Sequence, residues 1–370
     1  NPHKFLRSRI TSKNIEAASF YFTWGQRQSD LIQSAYPNAK KILRVVGTPR
    51  FDLIQPQLQK IWDNQVHTLQ RRHGRFIMLP SNFSVVVGHR RGQAFYEQRQ
   101  ARHGVDTTDQ EQEYSRGNQD NKKKNLDLFL NTLPFIQHHF PNHKIIVRPH
   151  PADDLEYWRT AVRHVENAEV VFDGNVIPWL LAADAIFHHG CTTGVERHIM
   201  GRSAIAFHPK FDSRFNNGLS TAIGPVAENE DTLIECLRFA IDGYSFPVAK
   251  TDWLQHYFFY RDDELAADRI LDALDELDLP TDSLTRPRHI LRKQATRAVR
   301  SLRRTFAGKR TRHSENRIQS SVSRDPNSWE WVTEDALNQR LKTLQAALGR
   351  FKDLHVYRLR DNIFYVGQNS

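Results

Sequence analysis

Cysteine is almost missing from this chain of 370 residues, which holds only Cys191 and Cys236. Two thiols cannot build a disulfide framework, and a chain of this size without a secretory leader is expected in a reducing compartment, the cytoplasm. Long apolar runs are missing too. A spanning helix needs roughly 20 consecutive apolar residues, whereas the stretch from Ile177 to Phe187 is interrupted by Pro178 and Asp184, so no crossing of a membrane is expected. Acidic residues are absent between Arg286 and Arg312, where nine Arg and two Lys give a local charge of +11. Because the whole chain carries +10, the remainder is close to neutral. The basic character belongs to one segment, and no nucleic-acid partner is expected. The chain opens on Asn1 and enters regular patterning at once, which points to an absent N-terminal part.

What is present is ordinary for a globular protein: 39% apolar and 11% aromatic residues fill a real core. Two β-like runs, Phe20 to Trp24 and Ile42 to Val46, flank a helical piece from Ser29 to Tyr36, and each run ends in glycine, Gly25 and Gly47. Further β-like runs follow at Arg75 to Leu79, Lys144 to Val147, Glu169 to Phe172, Ala185 to His188 and Ser203 to Phe207. Between them lie helical patterns at Leu126 to His139, Leu155 to Val165, Val176 to Ala183 and Thr192 to Met200. Short unalternating apolar strands spaced by helices require a parallel sheet covered on both faces. The expected fold class is therefore α/β, a doubly wound parallel sheet, with ligands outside the carboxyl ends of the strands. The polar stretch 89–125 reads as an insertion, either a lid or a solvated loop. Near the C-terminus, within 326–370, a helix opened by Thr333 with Glu334 and Asp335 in its first turn precedes a hairpin, Leu354 to Leu359 and Ile363 to Val366.

Three clusters follow strands directly. Arg148-Pro149-His150-Pro151 fixes the backbone on both sides of an imidazole and so holds it in one direction; a plain strand terminator is the blander reading. His188-His189-Gly190-Cys191-Thr192-Thr193-Gly194-Val195-Glu196 places small residues and hydroxyls at a helix start, where backbone N–H groups and the local positive charge favour a phosphate; the blander reading makes Thr192 or Thr193 an N-cap. Asn82 and Ser84 follow the strand at Arg75 to Leu79. Zinc is not expected at Cys191, since no other cysteine is near and adjacent strand residues point to opposite faces.

In order, Trp24-Gly25, Gly47-Thr48-Pro49-Arg50-Phe51-Asp52, Leu79-Pro80-Ser81-Asn82-Phe83-Ser84, Arg148-Pro149-His150-Pro151 and Trp179 to Asp184 leading into Gly190 to Glu196 resemble the GT-B glycosyltransferases. Within them the similarity is to surface carbohydrate biosynthesis proteins related to bacterial Kdo transferases and CDP-glycerol glycerophosphotransferases. The resemblance covers about residues 20–210. It implies that residues 1–53 close an N-terminal acceptor domain and that 54–280 form a Rossmann-like donor domain. It implies donor-binding roles for Arg148, His150, Cys191, Thr192, Thr193, Gly194, Glu196, Asn82 and Ser84, with His150 and His189 catalytic. Glu196, five residues before Gly201, would hold the nucleotide ribose; Ser203 stands where many relatives carry proline. The implied reaction displaces a nucleoside phosphate from a sugar donor such as CMP-Kdo, with a saccharide or lipid-linked acceptor and with neither metal nor other cofactor. A CDP-glycerol or CDP-ribitol transferase, a UDP-sugar epimerase and a non-catalytic export component remain as alternatives.

The basic segment 286–312 contains Leu291, Ala295, Val299, Leu302 and Phe306 at helical spacing, with Lys293, Arg297, Arg300 and Arg304 on the other side. It is expected either to hold the protein at an anionic inner-membrane surface or to form a solvated linker.

Overall fold

The computed structural model describes Leu6, Phe246 and residues 10–88, 109–216, 218–244, 251–261, 263–277, 332–360 and 363–368. The chain divides into two compact units, Asn1–Ile270 with Trp331–Ser370, and Leu271–Glu330. The basic segment 286–312 lies outside the described residues, as do positions 89–108 of the polar stretch. Among the described residues no helix is long and apolar enough to cross a membrane.

A parallel pair, β1 (Tyr21–Thr23) and β2 (Leu43–Val45), is joined by helix α1 (Gln26–Ala35), and helix α2 (Asp63–His73) leads to the main sheet. The main sheet holds six parallel strands: β3 (Phe76–Pro80), β4 (Lys144–Arg148), β5 (Ala168–Val170), β6 (Ala185–His188), β7 (Ile205–Phe207) and β8 (Val226–Ala227). Their spatial order is β5-β4-β3-β6-β7-β8. The chain runs outward one way from β3 to β5, then returns to start again beside β3 with β6. The reversal lies between the carboxyl ends of β3 and β6, the crevice position where doubly wound sheets take their ligands. The expected α/β doubly wound sheet is thus present.

Alternation along β3 explains why both faces are covered. Ile77 and Leu79 belong to one core, with Phe129 and Leu133 of α3 (Asp109–His139), Trp158 of α4 (Leu155–Val162) and Leu233 of a later helix. Phe76 and Met78 belong to the other, with Trp179 of α5 (Val176–Ala182) and Val195 of α6 (Thr193–Ile199). A strand apolar on both sides is stable only between two helical layers. Local signals set the helix starts: the Asp154 carboxylate accepts from the Glu156 and Tyr157 amides, and the Asn175 side chain from Ile177 at 3.0 Å.

The polar stretch differs from the sequence expectation over 109–125. Those residues are the first half of α3, a helix of 31 residues, and form no loop. Gln, Glu, Lys and Asn there support a helix without supplying an apolar stripe, so periodicity alone does not reveal it. Gly117 has a packing reason: a Cβ at that position would come within 2.8 Å of the Phe215 ring. Near the C-terminus, the helix α7 (Glu334–Leu348) is capped by the Thr333 hydroxyl and ended by Gly349 in the left-handed region. The antiparallel hairpin of β9 (Leu354–Arg360) and β10 (Ile363–Gln368) follows, as expected.

Candidate functional site

Three turns meet at the crevice, one each after β3, β4 and β6. The Asn82 amide donates to the carbonyls of His189 and Gly190, at 3.0 and 3.1 Å, and so ties the β3 turn to the β6 turn. On the other side the Asp153 carboxylate holds the β4 turn. Its Oδ2 accepts from the Ser81 hydroxyl at 2.6 Å, the Trp158 indole at 3.0 Å and the His150 amide at 3.1 Å. His150 and the Thr192-Thr193 turn therefore stand at the same edge of the sheet, separated by the width of β3.

The His150 side chain is exposed, and its Nδ1 accepts from the Ala152 amide at 3.1 Å. In a neutral imidazole that bond puts the proton on Nε2. His150 therefore presents an N–H donor at the mouth of the crevice. This suits a phosphate oxygen and does not suit a base acting through Nε2.

At α6 Thr192 occupies the N-cap position, as in the blander reading, but its hydroxyl makes no capping bond. Among the described residues the N–H groups of Thr192 and Thr193 take no backbone carbonyl, while Gly194 donates to Cys191. The Thr193 hydroxyl is buried, and it and the Thr193 amide face the Cys191 sulfur. Gly194 is required sterically, because a Cβ there would lie 2.4 Å from Nε2 of His188. Burial pushes the Cys191 thiol up, which keeps it protonated and a poor nucleophile. Glu196 is buried; its Oε1 accepts from Arg50 at 2.8 Å and its Oε2 has no partner. The ribose-binding oxygen of the sequence reading is thus half engaged by a cation. Ser84 is half-buried at the start of the short helix Ser84–Val87.

Two expected roles do not match the positions found. Arg148 is buried, donates to the carbonyls of Asp173 at 2.9 Å and Gly174 at 2.6 Å, and lies over the Trp179 ring. Its guanidinium fastens the loop after β5, and a donor phosphate at the crevice would not meet it. His189 is 1% exposed, stacks on Phe83 and meets the edges of Phe129 and His208. Burial first, then the charge of Lys122, hold its pKa down to about 2. A ring so enclosed, with both nitrogens engaged by Lys122 and Asn216 at 3.0 Å, does not touch substrate. It orders the groups around it.

The motif glycines and Asp52 are also structural. A Cβ on Gly25 would sit 2.4 Å from the Tyr257 carbonyl oxygen, and one on Gly47, whose φ is +82, 2.2 Å from that of Phe259. The Asp52 carboxylate accepts from the Ala266 and Ala267 amides at 2.8 and 3.0 Å.

Sequence reasoning missed Lys122, Asp153, Asn216 and Arg50. Lys122 had a signal: it stands four residues before Leu126, seven before Phe129 and eleven before Leu133, on the buried face of α3. Asp153 had none, since an acid after a Pro-His-Pro turn reads as a solvated helix start. Among the described residues no three His, Cys, Asp or Glu side chains converge in a way that holds a metal ion.

No protein-family model matches the sequence, and no curated protein matches it. Among solved structures the chain is similar to the wall teichoic acid polymerase TagF, with 12% identity and a TM-score of 0.38 over 72% of this chain and 61% of that one. It is also similar to Alr3699/HepE of Anabaena in complex with UDP and glucose, with 11% identity and a TM-score of 0.35 over 72% of this chain and 68% of that one. The chain thus spans less than two thirds of the polymerase's length.

Proposed function

We propose that the protein is a GT-B-type glycosyltransferase of bacterial surface polysaccharide assembly. It moves a sugar from a nucleotide-activated donor, CMP-Kdo or a related CMP sugar, to a saccharide or lipid-linked acceptor. The observation that supports this reading is the placement of the Pro-flanked His150 and the Thr192-Thr193 turn at one edge of the sheet, after the two strands that flank β3 in the order β5-β4-β3-β6-β7-β8. In this reading Nε2–H of His150 and the amides at the start of α6 receive the donor phosphates. Glu196 turns Oε2 to the ribose once Arg50 releases it. Fixed donors neutralise the departing phosphate with little reorganisation, which lowers the barrier to displacement by an acceptor hydroxyl. Residues 1–53 close the acceptor side, 54–280 hold the donor, and 286–312 rest on anionic lipid.

A thermal-shift panel of CMP, CDP, UDP and GDP tests the reading. At a hundredfold excess over Kd, a bound nucleotide stabilises by about 2.7 kcal/mol, a rise of several degrees. The double variant His150→Ala, Thr193→Val is expected to lose that rise. No shift with any of the four, or a shift untouched by the double variant, would remove the transferase reading. Nucleotide-sugar turnover without an acceptor would point instead to an epimerase.

A further inference from the structure

The first half of α3 and the turn 212–216 after β7 border a cavity of about 420 Å3, within the roughly 300–1,000 Å3 of small-molecule sites. Two hydrogen bonds bring its walls together. The Tyr114 hydroxyl donates to the Arg214 carbonyl at 3.2 Å, and the Asn121 amide to the Lys210 carbonyl at 3.3 Å. Part of the lining is aromatic, with the Tyr114 and Phe215 rings 5.2 Å apart. Gly117 makes room for the tip of the Phe215 ring, since a Cβ there would stand 2.8 Å from it. A glycine inside a helix costs about 1 kcal/mol against alanine, so the helix gives up stability to seat that ring.

The polar lining carries both signs. Glu113, Asp120 and Asp212 supply three negative charges, Lys124 and Arg214 two positive ones. Arg214 is fixed in place, because the Asp212 carboxylate accepts from its amide at 2.9 Å and from its guanidinium at 2.7 Å. It lies over the Phe215 ring at 5.1 Å. Such a lining selects among ligand classes. An anion would meet more carboxylates than cations. A lipid chain would have to strip water from five charged groups. A flat base needs a clear ring face, and Arg214 already covers one face of Phe215. A pyranose suits the whole set: its hydroxyls both donate to carboxylates and accept from cations, and its C–H face fits the half-exposed Tyr114 ring.

The cavity also adjoins the crevice. Phe215 lines it while its neighbour Asn216 reaches His189 at 3.0 Å, and Asn121 lines it while its neighbour Lys122 donates to the Asn82 carbonyl at 3.0 Å. We propose that this cavity is a saccharide subsite that holds an uncharged pyranose of the acceptor, with Tyr114 as its stacking platform and Glu113 and Asp120 as hydroxyl ligands. This rests on the transferase reading and deepens it, because recognition then falls on the sugar part of the acceptor.

Saturation-transfer NMR on the full chain, with neutral trisaccharides of glucose, galactose, mannose, rhamnose and N-acetylglucosamine as probes, tests this. At least one probe is expected to bind the wild type. Tyr114→Ala should abolish that signal, and Tyr114→Phe, which keeps the ring, should retain it. Asp120→Ala should weaken binding about tenfold, the loss of one hydrogen bond to a charged group. Both residues are exposed, so the variants should unfold at the wild-type midpoint. No signal from any probe, or equal signals from wild type and Tyr114→Ala, overturns the subsite. A thermal shift of the wild type with CDP separates the two readings. Nucleotide stabilisation without sugar binding removes the subsite and leaves the transferase reading standing. Sugar binding that Tyr114→Ala abolishes, with no nucleotide stabilisation, keeps a carbohydrate site and removes the transferase reading.

Discussion

Between pH 7.5 and pH 5 the protein is expected to lose about 4 kcal/mol of stability, well before its carboxylates titrate. The cause is two fully buried rings, His188 against Gly194 and His189 among Phe83, Phe129 and His208. Burial depresses their pKa values to about 3 and about 2. Unfolded, each binds a proton near pH 6.5; folded, neither does. Depressed folded values mean that the stability is present in full above about 6.5 and drains away as pH falls below it. Two protons taken up on unfolding give a slope of roughly 3 kcal/mol per pH unit, large against a net stability of about 5–15 kcal/mol. Denaturant titrations at pH 7.5, 6 and 5 measure it directly. A flat profile over that span would mean that the rings are hydrated, and the enclosed crevice floor described above would be wrong.

Asp153→Ala carries the second large effect. One oxygen of this buried carboxylate accepts from the Ser81 hydroxyl, the Trp158 indole and the His150 amide. A buried donor left without its acceptor costs about 1–3 kcal/mol, so three of them give an expected loss of about 4 kcal/mol, read as a lowered denaturation midpoint. Asp153→Asn keeps an acceptor oxygen near those donors and should lose less. The same change frees the turn that aims His150, so nucleotide affinity is expected to fall with stability even in the milder variant. If Asp153→Ala unfolds at the wild-type midpoint, the β4 turn is held by something other than this hub.

The strands and their parallel order were legible because apolar runs such as Phe76 to Leu79 are buried on both faces, a demand that few folds meet. The Thr333 cap and the C-terminal hairpin were legible for local reasons. The first half of α3 was not, since a solvated helix carries no apolar stripe to read. At the site, the sequence located the turns better than the roles. His150, Thr193 and Asn82 do stand at one edge. Yet Arg148 and His189, polar residues in the right places along the chain, are spent on carbonyls, Lys122 and Asn216, because burial obliges each polar group to find a partner within reach. Lys122 came to the crevice through helix geometry, from a run of three lysines, Lys122 to Lys124, that looks like a solvated face. Which member of such a run turns inward is decided by register with Leu126 and Phe129.

A crystal structure of the protein with CDP tests the location of the site most directly. The account predicts phosphate oxygens within hydrogen-bond distance of Nε2 of His150 and of the Thr193 amide, beyond the carboxyl ends of β3 and β6. A nucleotide bound anywhere else on the chain, with that crevice left to solvent, would contradict it.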